Sequence, residues 1–186
     1  MDLINSLVDY YLNREFMGNG DLIEFSTCSV IGKAIRYFTK KDVNHTAILW
    51  CVDEFKEVKD RKFIMEALSN GIELNLMSSR LSGYKGDAYW YPLKKEHHQL
   101  RDKVASKCLL AEGRTDEIRY DYTSLIKNMW TKVSVDVEKN SFCSEFAQWV
   151  LQTSGIIPDI GKALRPGEFD NLGIYEPRVK IYSWRQ

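Results

Sequence analysis

The stretch from His45 to Leu76 constrains this chain more than any other. Ala47-Ile48-Leu49-Trp50-Cys51-Val52 is wholly apolar, and with Thr46 in front it has the β-rich pattern of a buried strand. Lys56 to Lys62 forms a charged turn. Phe63-Ile64-Met65-Glu66-Ala67 reads as the next strand, Asn70-Gly71 as a hairpin turn, and Ile72 to Leu76 as the alternating return strand. Consecutive strands of this kind build a sheet, and a sheet with apolar faces has to be covered by the rest of the chain.

The flanks supply that cover. Residues 2–16 carry Leu3, Ile4, Leu7, Val8, Tyr11 and Leu12 at helical spacing, with Asp2 as cap and Gly18-Asn19-Gly20 as stop. Asp21 to Phe25 reads as a short strand and residues 29–38 as a helix. Asp87 to Tyr91 gives another strand, Leu93 to Leu110 a long amphipathic helix, and residues 120–130 a further helix before a polar loop, Thr131 to Lys139. Ser141 to Gly155 is the clearest helix, with Phe142, Phe146, Trp149 and Val150 on one stripe and Gly155 at its end. A loop over Pro158 to Asn171, turning at Arg165-Pro166-Gly167, leads to a last strand within Ile174 to Trp184. The pattern predicts an α+β chain: a mixed, mostly antiparallel sheet packed with helices. Residues 1–186 are expected to form one domain, with 1–18 as an N-terminal helical extension.

Composition narrows the function classes. At 186 residues and 44% hydrophobic the chain can bury a sizeable core without disulfides or metal. Its 26 basic and 26 acidic side chains cancel, which argues against a nucleic-acid partner. Four cysteines without a CxxC pair, and only three histidines, argue against a zinc site. The first residues lack a signal-peptide pattern, and the six-residue apolar run is far too short to span a bilayer. The expectation is a cytoplasmic chain with free thiols, no integral membrane segment and no cofactor.

Three residues stand out chemically. Cys143 falls in the first turn of the 141–155 helix, where unpaired backbone N–H groups favour a thiolate and can hold a developing oxyanion. His45 opens the Thr46–Val52 strand, and an imidazole is suited to exchanging a proton with a thiol near neutral pH. Glu66 is a carboxylate inside an apolar strand and needs a partner, for which an imidazole serves. Each also has an ordinary reading: a small packed cysteine, a partly exposed histidine, a strand-edge glutamate facing water. Together they hold the parts of a thiol hydrolase. His97 and His98, in a charged helical run, read as a solvated face.

Five segments carry a resemblance. Gly20-Asp21-Leu22-Ile23-Glu24-Phe25, Val43-Asn44-His45-Thr46-Ala47-Ile48, Met65-Glu66-Ala67 with Gly71-Ile72, Ser141-Phe142-Cys143-Ser144-Glu145-Phe146 and Arg165-Pro166-Gly167-Glu168-Phe169 occur in the order and spacing of one family. The chain resembles the circularly permuted papain-like cysteine hydrolases, the NlpC-like branch that includes the YiiX-like proteins. That resemblance implies a permuted papain-like core, with His45 as base, Glu66 as orienting group and Cys143 as nucleophile. It implies cleavage of an amide, peptide or ester bond through a thioester, and Tyr120 and Tyr122 as candidates for substrate or oxyanion contact. Ordinary packing within an amphipathic helix is the other reading of those two tyrosines. A lipid-ester hydrolase or acyltransferase on the same triad, and a non-catalytic binding module of the same fold, remain open alternatives.

Overall fold

A computed structural model describes residues 7–29, 32–33, 36–37, 40–52, 61–68, 71–113 and 141–184. The strands are β1 (Leu22–Thr27), β2 (His45–Cys51), β3 (Lys62–Leu68), β4 (Gly71–Leu76), β5 (Gly86–Tyr91) and β6 (Val179–Ser183). They form one six-stranded sheet in the order β4-β3-β2-β1-β5-β6. Every pairing is antiparallel, so the sheet is not mixed. The helices are α1 (Val8–Asn13), α2 (Met77–Leu81), α3 (Arg101–Gly113) and α4 (Ser141–Thr153), which makes the chain α+β.

Strand alternation sorts the core into two layers. Leu22, Ile48, Met65 and Tyr91 face α3 and α4, and meet Val104, Cys108, Phe146, Ala147, Val150 and Leu151 there. Ile23, Phe25, Ala47, Leu49, Ile64 and Ala88 point to the opposite face, where Tyr10, Met17, Met77, Leu81, Ile181 and Tyr182 cover them. Each large side chain fully buried in this way contributes about 1.5–3 kcal/mol. The N-terminal helix belongs to this second layer: Tyr10 is buried, and α1 packs on β6.

Several expectations shift in detail. The 93–110 helix begins with a 3₁₀ segment, Lys95–Leu100, before α3. Among the described side chains of α3, only Val104, Cys108 and Ala111 face the core, while Leu109 and Leu110 are exposed. The hairpin ladder closes on Leu68 and Gly71, so Gly71 already belongs to the return strand, whereas the sequence placed it within the turn. The 2–16 helix before residue 7, most of the 29–38 helix and the charged turn lie wholly or partly outside the described residues, as do the 120–130 helix and the loop after it.

Helix α4 ends as its sequence predicts. Gly155 takes φ +81, the Ile156 amide donates to Leu151 O and the Gly155 amide to Gln152 O. The loop after it is tied back to the helix by side chains. Ser144 Oγ donates to Leu164 O at 2.7 Å, and Gln148 accepts from Leu164 N while donating to Lys162 O, both at 2.8 Å. These bonds fix the start of α4, and therefore Cys143, over β2 and β3.

Candidate active site

The site forms at one end of the central strands. The β1–β2 register runs on to Phe25 and His45, whereas the β2–β3 ladder stops at Ile48 and Met65. Beyond that last pair Thr46 keeps its partner in β1 but has none in the β2–β3 ladder. Leu49 donates its amide to Asp21 O, toward β1, and strand alternation turns the Thr46 amide the opposite way. That amide donates to Cys143 Sγ at 3.4 Å. Cys143 is 1% exposed.

His45 Nε2 and Glu66 Oε2 are 2.6 Å apart, with the imidazole 12% exposed and the carboxylate fully buried. The Cys143 sulfur lies within hydrogen-bonding reach of the same ring. Because Nε2 is committed to Glu66, Nδ1 is the nitrogen left for the sulfur. Three residues distant in sequence therefore converge: Cys143 from α4, His45 from the start of β2 and Glu66 from β3. Tyr120 and Tyr122 lie outside the described residues.

Sequence reasoning missed the groups behind Glu66. Arg80, near the end of α2, donates from Nε to Oε1 at 2.9 Å and reaches Oε2 at 3.4 Å. Asn75 Nδ2 donates to Oε1 at 3.1 Å across the β3–β4 hairpin. The Arg80 guanidinium rests over the rings of Phe25 and Tyr84, at 5.0 and 5.2 Å from their centroids, which fixes its plane. Only the β3–β4 register, which sets Asn75 diagonal to Glu66 on one face, reveals the first contact, and only the turn into α2 reveals the second.

The electrostatics follow from these partners. Burial pushes the Glu66 carboxyl up, but the hydrogen bond and charge of His45, with the Arg80 guanidinium, outweigh it and hold the group down to about 2. Burial pushes the His45 ring down, yet the Cys143 sulfur and the Glu66 carboxylate outweigh that and raise it to about 9. A histidine so placed carries its proton at neutral pH. Asp21 works elsewhere: it accepts from Gly18 N, Trp90 Nε1 and Leu93 N, and pairs with Arg101 at 2.8 Å, stitching β1 to the segment after β5.

Fold and site together define an α+β chain that gathers a cysteine, a histidine and a carboxylate where two strands of an antiparallel sheet part. The fold is similar to the crystal structure of the metalloprotein YiiX from Escherichia coli O157:H7, with a TM-score of 0.50 and 17% identity over 78% of this chain and 68% of that one. No protein-family model and no curated protein sequence matches the chain.

Proposed function

We propose that this chain is a cysteine-dependent hydrolase with a permuted papain-like core, cleaving an amide or ester bond through a thioester. The observation that carries the reading is the meeting of Cys143, His45 and Glu66 at one sheet end. His45 withdraws the thiol proton of Cys143, giving a thiolate–imidazolium pair. The thiolate attacks the substrate carbonyl, and the Cys143 backbone N–H at the start of α4 supports the oxyanion. His45 gives its proton to the departing amine or alcohol as that bond breaks, and the thioester remains. The neutral ring then takes a proton from water, whose oxygen attacks the thioester. Collapse frees the acid, and the sulfur and ring regain their starting states. Glu66 holds the ring's orientation and stabilises its charge, and Arg80 with Asn75 keeps Glu66 ionised and in place.

The structural neighbour is a metalloprotein, but this site does not fit an ion. Both Glu66 oxygens are already engaged by His45, Arg80 and Asn75, and a guanidinium stands where a cation would bind. Among the described residues no group of three or more His, Cys, Asp or Glu side chains is placed to hold a metal.

None of the four cysteines is in a disulfide, which lets one experiment test the assignment. Exposure to activated-ester probes followed by peptide mass spectrometry should place the acyl group on Cys143, with little on Cys28, Cys51 or Cys108. Cys143→Ala should abolish both acylation and turnover, a loss of about 10⁴-fold or more. Full turnover by that variant on the same substrate would sink the reading.

A further inference from the structure

Glu24 takes no part in the acyl-transfer sequence, yet it is a carboxyl buried at 0% exposure in the middle of β1, opposite Thr46. A group so costly to bury has to be held by partners. Its Oε1 accepts from Thr46 Oγ1 at 3.2 Å and from Gly167 N at 2.7 Å. The Tyr91 hydroxyl faces the same carboxyl. Burial, the largest influence, raises Glu24 to about 7 against the pull of these donors. Asp170 and Tyr175 are the other titratable groups near it.

The partners of Glu24 lead back to the sulfur from two directions. Thr46 donates its own amide to Cys143 Sγ. On the other side, Ser144 follows Cys143 in α4 and holds Leu164, and three residues later the chain presents the Gly167 amide to Glu24. Gly167 takes φ +80, and a Cβ there would come within 3.0 Å of the Lys41 side chain, so the turn that delivers this amide favours glycine. The bonds and the chain between them close a ring: Cys143, Ser144, Leu164, Gly167, Glu24, Thr46 and Cys143 again.

We propose that Glu24 is a positioning residue: by accepting from Thr46 Oγ1 and Gly167 N together, it locks the start of β2 against the loop anchored on α4 and keeps the Thr46 amide aimed at the Cys143 sulfur, where it stabilises the thiolate. The catalytic consequence rests on the hydrolase reading; the geometry does not. What the ring requires of residue 24 is an acceptor oxygen rather than a charge. Glutamine supplies that oxygen and leucine does not.

Two readouts test this without a substrate: the alkylation rate of Cys143 by iodoacetamide at pH 6, and the pH titration of the Thr46 amide ¹⁵N–¹H shift as the sulfur ionises. Glu24→Leu should slow alkylation about tenfold and flatten the Thr46 titration. Glu24→Gln should recover both to within about threefold of the parent chain, a rescue that lost packing alone would not predict. Thr46→Val keeps the backbone amide and removes only the hydroxyl; it should fall between the two. A folded Glu24→Leu chain with parental alkylation and titration overturns the proposal, as does Glu24→Gln behaving like Glu24→Leu. If Glu24→Leu does not fold, Thr46→Val decides, and unchanged alkylation there is the overturning result. If Cys143 of the parent chain alkylates no faster than a small free thiol at pH 6, while Thr46 still follows the sulfur and Glu24→Leu abolishes that, the hydrolase reading falls and the positioning role stands.

Discussion

Glu24 and Glu66 are two fully buried carboxyls in one sheet, and they are driven in opposite directions. Burial raises both. Glu66, on the face shared with Arg80 and His45, is nevertheless held down to about 2. Glu24, on the helix-covered face, meets a hydroxyl from Thr46, an amide from Gly167 and the hydroxyl of Tyr91, and rises to about 7. At Glu24 neutral donors offset only part of the desolvation cost, whereas at Glu66 the imidazolium and the guanidinium together outweigh it. Partner charge, not depth, separates a carboxylate able to stabilise an imidazolium from a carboxyl able only to hold neighbours in place.

The same substitution at both positions breaks or sharpens that contrast. Glu66→Gln removes the charge facing His45 and offers Arg80 a neutral oxygen. On a substrate found by acyl-probe screening, it should lower kcat/KM about 10²–10⁴-fold, as expected where a carboxylate orients and stabilises a catalytic imidazole. Glu24→Gln should cost at most about threefold in the same assay, within the range given for its alkylation rescue. Equal losses would erase the distinction between the two carboxyls. In the parent chain, turnover should fall as pH rises through about 9, because His45 then lacks the proton the leaving group needs.

Arg80→Met tests the cation directly. It keeps an apolar stem over Phe25 and Tyr84 but leaves Glu66 with His45 and Asn75 alone. Because the Arg80 side chain is 27% exposed, solvent screens the pair, and the expected loss of folding stability at pH 7 is about 1–2 kcal/mol by urea titration. The sign of the acid effect follows from the depressed group. Glu66 contributes stability that is complete above its ordinary value near 4.5 and disappears as pH falls through about 2. Losing Arg80 narrows that gap, so acid unfolding of Arg80→Met should begin at higher pH. An unchanged acid midpoint would mean that His45 and Asn75 hold Glu66 down without Arg80.

The chain announced one of these two carboxyls and hid the other. Glu66 interrupts an apolar strand beside a hairpin signal, and His45 and Cys143 sit at a strand start and a helix start, positions visible from periodicity alone. Their convergence was expected only from the family resemblance, not from periodicity, because it depends on where the β2–β3 ladder stops and on side chains such as Ser144 and Gln148 that tie α4 to its loop. Glu24 is equally a charge within an apolar strand, but nothing in Leu22-Ile23-Glu24-Phe25 tells which face it takes or that Gly167, 143 residues on, supplies its donor. Asn75 carries no signal until the β3–β4 register sets it diagonal to Glu66, and Arg80 none until the turn into α2 brings it there. The β3–β4 hairpin was legible for a simpler reason: Asn70-Gly71 between two short strand patterns leaves few other ways to pair them. Helix α3 was less so, since a helix that offers the core only three described side chains carries a weak periodic signal.

The smallest expected effect reads the comparison through stability alone and needs no substrate. A carboxyl whose folded value is raised contributes stability that is complete below its unfolded value near 4.5 and is lost as pH rises through the folded value, here about 7. The parent chain should therefore lose on the order of 1–3 kcal/mol across that window on account of Glu24. His45, raised to about 9, adds a second loss at higher pH, from about 6.5 upward, so the two contributions separate below pH 6. Glu24→Gln cannot ionise and should flatten the first part of the curve, while Glu66→Gln should leave that part intact. Urea midpoints taken at half-unit steps from pH 4.5 to 6 would show it. Parallel curves for the parent chain and Glu24→Gln would mean that Glu24 stays ionised throughout, and that three neutral donors do what was here reserved for a guanidinium.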